Sequence, residues 1–81
     1  MRSIGNQEEA WVRICEGFAD ALRGIGLLET AYRADRAAHE YRNGHVVRGR
    51  LLWRLVKFEI SRRRAWGDVS EWLQIESIRR G

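Results

Sequence analysis

Apolar side chains recur along the chain in steps of three and four residues, which is the spacing of a helix that buries one face. One such set runs from Trp11 to Ile25, and a second runs from Leu27 to Tyr41. Glycines interrupt the pattern at Gly24, Gly26, Gly44 and Gly67. The pattern therefore predicts an all-α fold, a small three- to four-helix bundle with helices near residues 7–23, 27–42, 47–64 and 69–79.

Local signals refine the ends of these helices. Asn6 is followed three residues later by Glu9, and Asp68 by Glu71, so the first and fourth helices each begin at the spacing of a capping box. The pair Asn43-Gly44 ends the second helix, but it is also typical of a β-hairpin turn. A short β-ribbon near residues 40–47 is therefore an alternative, although the flanking alternation is too short to favour it.

The third helix has two apolar faces. At 100° per residue the first face lies within roughly 80° and contains Val47, Leu51, Leu55 and Phe58. The second contains Leu52, Trp53, Val56 and Ile60, and a polar stripe of Arg50, Arg54, Lys57, Ser61 and Arg64 runs between them. A surface helix normally has one apolar stripe, so this helix is either central or open to a partner on one side. We expect the Trp53 face to be the one left partly uncovered.

Length and composition are those of a single helical domain, residues 1–81, that folds without disulfide bonds. Cys15 is the only cysteine and cannot form an intrachain disulfide, which favours a reducing compartment. A membrane span needs about 20 apolar residues, and no uncharged stretch of this sequence approaches that length. The acids at Glu8 and Glu9 argue against a secretory signal. We therefore expect a cytoplasmic protein with no membrane partner.

The sequence offers little catalytic chemistry. Cys15 lies on the apolar stripe of the first helix, where a thiol usually packs as a small apolar group. Asp35 and His39 are four residues apart and could share a metal, but a closed zinc site needs four ligands, and an ion pair on the helix surface is the simpler interpretation. Gly24-Ile25-Gly26 lacks the remainder of a phosphate-binding loop. The sequence therefore predicts no enzyme, no cofactor and no metal site.

Charge is distributed unevenly between the two halves of the chain. Residues 1–41 carry a net charge of −2 and residues 42–81 a net charge of +6, and Glu59 is the only acid between Arg42 and Trp66. Acids on the first two helices could pair with these cations, but they are too few to neutralise them all. Some positive surface should remain, and such a surface attracts anions.

Four tryptophans in 81 residues are unusually many. Trp11 and Trp72 lie on apolar stripes and are expected in the core, whereas Trp53 borders the cationic stripe and Trp66 falls in a predicted loop. Tryptophan and arginine together are typical of interface hot spots and of platforms for single-stranded nucleic acid. The predicted partner-binding residues are Arg50, Trp53, Arg54, Lys57, Arg62, Arg63, Arg64 and Trp66.

These observations favour a small non-enzymatic protein-binding module, an adaptor or inhibitor of the kind found in phages and mobile elements. The alternative is a nucleic-acid-binding accessory protein that holds the phosphate backbone through the stripe from Arg50 to Arg64. Self-association through the second apolar face is a third hypothesis. A helix-turn-helix with the fourth helix as reader is disfavoured, because its acids Asp68, Glu71 and Glu76 would repel phosphate.

Overall fold

A computed structural model describes the backbone of residues 3–80 and the side chains of residues 8–79. This part of the chain folds into four packed helices and contains no strand, which confirms the predicted all-α bundle. The helices are α1 (Ser3–Gly24), α2 (Leu28–Arg42), α3 (Val46–Arg62) and α4 (Trp66–Arg80).

The predicted β-ribbon near residues 40–47 is wrong. The end of α2, a turn and the start of α3 occupy those residues, and the Asn43 amide still donates to the His39 carbonyl as it would in a helix. Two helix starts also differ from the prediction. Asn6 lies within α1 rather than at its cap, and α4 begins at Trp66, two residues before Asp68.

The three turns between helices close in the same way. Each contains one residue with positive φ: Gly26 at 89°, Gly44 at 81° and Arg64 at 54°. The next amide then donates to the carbonyl five residues earlier, which is the Schellman closure of a helix end. These bonds are Leu27 to Leu22 at 2.8 Å, His45 to Glu40 at 2.8 Å and Ala65 to Ile60 at 3.0 Å. Glycine adopts this conformation without strain, whereas Arg64 carries a side chain there.

Helix α2 is the element that both α1 and α3 pack against. It can contact both because most of its buried residues are small: Ala31, Ala34, Ala37 and Ala38. Gly49 of α3 serves the same purpose, since an added Cβ would lie 2.9 Å from Cδ2 of Tyr41. The molecule is flat, with principal extents of 36 × 30 × 15 Å.

Helix α4 packs on α1. Its Trp72 indole lies directly over Gly24, where a Cβ would overlap the ring, and Leu73 lies beside Gly17. Val69 from α4 joins the common core. The close approach of α4 to α1 therefore depends on the absence of a side chain at Gly24, whereas a Cβ at Gly17 would meet Leu73 at an ordinary contact distance of 3.9 Å.

Cys15 is completely buried in the core, as its place on the apolar stripe predicts. Burial, with a smaller contribution from the charge of Glu16, raises the pKa of the Cys15 thiol to about 12. The thiol is therefore protonated at neutral pH, and only the thiolate is a nucleophile.

Candidate partner-binding surface

Helix α3 buries the face that we expected to be open and exposes the other one. Trp53 is 6% exposed, and Val56 and Ile60 are completely buried. The opposite face presents four large apolar side chains to solvent: Val47 (69% exposed), Leu51 (55%), Leu55 (51%) and Phe58 (62%). We call these four residues the outer ridge. The expectation that the Trp53 face is left uncovered is therefore wrong, and the face that α3 exposes to solvent is the one with Val47 and Phe58.

Aromatic contacts with α1 explain why the Trp53 face turns inward. The Trp53 ring meets Phe18 edge to face with centroids 4.8 Å apart, and it meets Trp11 at 6.3 Å. Trp11 in turn stacks on Tyr41 of α2 at 5.9 Å, with only 16° between the ring planes. Ring pairs of this kind contribute beyond the area that they bury. The outer ridge has no such partners among the described residues.

Besides Trp53, two further tryptophans lie in places other than those expected. Trp11, which we expected in the core, contacts Tyr41 and Trp53 but remains 39% exposed. Trp66 is the first residue of α4 rather than part of a loop. Its Nε1 donates to Oγ of Ser61 at 2.8 Å, its ring contacts Phe18, and 37% of the residue is exposed.

A cleft opens between α1 and α3 beside the exposed edge of Trp11. Its volume is about 390 Å³, and its apolar lining consists of Trp11, Tyr41, Val46 and Trp53. Three cations, Arg50, Arg54 and Lys57, and one carboxylate, Glu8, complete the lining. The structure thus brings together four of the eight predicted binding residues, with Trp53 inside the cleft wall rather than on the surface.

The cations of this cleft are not neutralised by ion pairs. Within the described part of the chain, Arg50, Arg54 and Lys57 form no ion pair. Three acids of α1 and α2 pair instead with arginines of those two helices: Glu16 with Arg42, Asp20 with Arg23, and Asp35 with Arg23. The positive charge of these three α3 side chains is therefore available to a ligand.

The arginine run at the end of α3 is a separate feature. Arg62 and Arg63 both lie near the carboxylate of Glu59, at 3.4 Å and 3.7 Å, which offsets part of their charge. Arg64 is exposed in the turn with its positive φ. These three residues and Trp66 lie at the α3–α4 junction and do not line the cleft.

Two exposed apolar residues of α2, Leu28 and Tyr32, were not predicted as surface residues from the sequence. They line a shallow groove together with Leu52 of α3 and the charged residues Glu29, Arg33 and Arg36. Their spacing of four residues places both side chains on one face, away from the alanines. That spacing was the signal available from the sequence.

The polar groups that resembled catalytic or metal-binding residues have structural partners. Asp35 accepts a hydrogen bond from Arg23 at 2.7 Å, and His39 Nε2 lies 3.0 Å from the Asn43 side-chain nitrogen. Glu40 is buried at the end of α2, where its Oε1 lies 2.7 Å from Nδ1 of His45. This hydrogen bond lowers the pKa of Glu40, with help from nearby positive charge at His45, Arg48 and Arg36. In the described residues no three His, Cys, Asp or Glu side chains gather closely enough to hold a metal.

Comparison of the chain with protein families, with curated proteins and with solved structures finds no match. Among the helices of residues 3–80, none has both the length and the apolar character needed to cross a membrane.

Proposed function

We propose that this protein is a non-enzymatic protein-binding module, of the adaptor or inhibitor kind, that contacts its partner through the outer ridge of α3. The observation that carries the proposal is the exposure of Val47, Leu51, Leu55 and Phe58 on a single helix face. Single exposed apolar residues are ordinary, but a contiguous apolar patch is typical of an interaction site. A ridge at this spacing matches the groove or face of an amphipathic partner segment.

The charges beside the outer ridge favour an acidic partner segment. At 100° per residue, Arg54 lies about 20° beyond one edge of the ridge and Arg48 about 20° beyond the other. Neither forms an ion pair within the described residues. Acidic residues flanking an apolar stripe would complement this arrangement and speed the encounter. A second copy of the chain would instead bring the same cations face to face, which disfavours self-association.

A defined peptide pair tests the proposal. The probe is an amphipathic helical peptide with leucines on one face and glutamates on its flanks, and its control has lysines in place of the glutamates. Titration of the isotopically labelled protein should shift backbone amide NMR signals of α3 around Leu51 and Phe58, with tighter binding of the glutamate peptide. Shifts confined to other helices would overturn the proposal.

Matched variants identify the contact. Leu51→Ser and Phe58→Ser should each weaken binding of the glutamate peptide by about tenfold, as loss of a moderate interface contact does. Ile78→Ser is the control, because Ile78 is 79% exposed but lies on α4. It should leave the affinity unchanged. If the protein binds phosphatidylserine vesicles through the outer ridge and does not bind the peptide, the partner is a lipid surface and not a protein.

A further inference from the structure

We infer that the cleft between α1 and α3 binds single-stranded nucleic acid, with one base against Trp11 and the adjoining phosphates on Arg50, Arg54 and Lys57. This second binding activity goes beyond the proposed protein binding and does not rest on it. Arg50 and Lys57 point away from the outer ridge by the helical spacing, at roughly 60° and 80° from Val47 on the side opposite Leu55. The two sites can therefore be separated by mutation.

The size and lining of the cleft fit one nucleotide. Its volume of about 390 Å³ is near the lower end for small-molecule sites. Trp11 is held in place by Tyr41 and Trp53 and still exposes 39% of its surface. A fixed, partly exposed indole is a platform on which any base can stack, and such stacking is tolerant of sequence.

The charges of the cleft fit a phosphodiester. Three cations against the single carboxylate of Glu8 leave a net charge of +2 on the lining. All three cations are exposed side chains of one helix, at positions three and four residues apart. They can therefore contact successive phosphates of a strand that passes along α3. Glu8 is the unfavourable group, because a carboxylate at the cleft repels phosphate.

A single strand suits this site better than the other polyanions. In a duplex the bases are stacked inside and cannot reach Trp11 without being flipped out. An acidic peptide would pair with the cations, but its acidic side chains have no aromatic ring that could stack on the Trp11 indole. A strand supplies both the ring and the charge in one repeating unit.

The experiment is fluorescence anisotropy of a short labelled oligothymidylate with the full chain. Three phosphate contacts predict that affinity falls roughly twentyfold between about 50 mM and 200 mM salt, since the slope for single strands is about −0.7 per contact. Arg50→Gln and Lys57→Gln should each weaken binding and flatten this dependence. Arg62→Gln is the matched control on the same helix, because Glu59 already offsets its charge. If Arg62→Gln weakens oligothymidylate binding as much as the other two variants do, the strand is attracted to α3 as a whole. The inference that it binds in the cleft would then be overturned.

Two further variants separate binding from folding. Trp11→Leu should weaken binding of the oligothymidylate by about tenfold or more, because the base loses its stacking partner. Glu8→Gln should tighten it, and a gain of affinity cannot arise from unfolding. If Glu8→Gln leaves the affinity unchanged while Trp11→Leu unfolds the chain in circular dichroism, the inference fails.

Competition distinguishes the sources of the nucleotide. Thymidine monophosphate should compete only weakly, because it offers one phosphate in place of several. Equally tight binding of the monophosphate would mean that the ligand is a free nucleotide, and equally tight binding of duplex DNA would exclude base stacking. Phe58→Ser should leave oligothymidylate binding intact, so failure of the strand inference and failure of the protein-binding proposal give different results.

Discussion

The indole of Trp53 meets the ring of Phe18 edge to face, with the two centroids 4.8 Å apart and the ring planes at 89°. This contact joins α3 to α1, and both helices also pack on α2. It explains why one apolar face of α3 is inside and leaves the outer ridge to solvent.

Replacing Trp53 should therefore test the core rather than the binding surface. Trp53→Ala is expected to lower the free energy of unfolding by about 3–5 kcal/mol, the usual cost of truncating a buried tryptophan. Trp66→Ala should cost clearly less, because Trp66 is partly exposed. Urea unfolding followed by circular dichroism measures both. A Trp53→Ala protein of near-native stability would contradict the buried position.

The turn after α3 offers a stabilising substitution. Arg64 has a φ of 54°, a conformation that costs a residue with a side chain about 1 kcal/mol relative to glycine. Arg64→Gly should raise the free energy of unfolding by about that amount. Arg63→Gly is the control, since Arg63 has a φ of −89° and gains nothing from glycine. The comparison is made by thermal unfolding, and a loss of stability in Arg64→Gly would be the contrary result.

The thiol of Cys15 should be unreactive while the protein is folded. Its pKa of about 12 leaves almost no thiolate at neutral pH, and the side chain is shielded from solvent. Labelling with a chromogenic disulfide reagent should be slow in buffer and fast in concentrated urea. Fast labelling of the folded protein would restore Cys15 as a candidate nucleophile.

Glu40 should make stability depend on acid pH. Its pKa is lowered in the folded state, mainly by the hydrogen bond with His45, so its stabilising contribution is present above the ordinary glutamate pKa of about 4.5. That contribution is lost as the pH falls through the lower folded pKa. Glu40→Gln should therefore show a smaller loss of stability between neutral and acid pH than the parent. Glu71→Gln, on the surface of α4, is the control and should follow the parent curve in urea unfolding.

The sequence predicted the helices better than their packing. Apolar spacing and the glycines of the first two turns identified all four helices within a few residues, because both signals act locally. The third turn has Arg64 where the other two have glycine. Gly67, which the sequence pattern predicts as the break between the third and fourth helices, instead lies in the first turn of α4, so the predicted loop at Trp66 is wrong. Nothing in local spacing marks a residue with a side chain that adopts positive φ.

The candidate surface was predicted only in part, for a physical reason. Both faces of α3 carry four apolar residues at helical spacing, so the period alone cannot choose the buried one. The choice depends on contacts across the fold, namely Phe18 and Trp11 against Trp53. The cations on α3 were identified from charge alone. The cleft that they line could not be predicted in the same way, because it depends on where Trp11 of α1 lies in the fold.

The buried alanines of α2 tolerate substitution far less than the exposed residues of the outer ridge do. Ala31, Ala34 and Ala38 are buried on the helix that contacts both neighbours, and a larger side chain there would push two helices apart. The outer ridge has no such constraint, because its side chains extend into solvent. Substitutions on the exposed face of α3 can therefore change its surface one residue at a time while the packing of the helices beneath it stays the same.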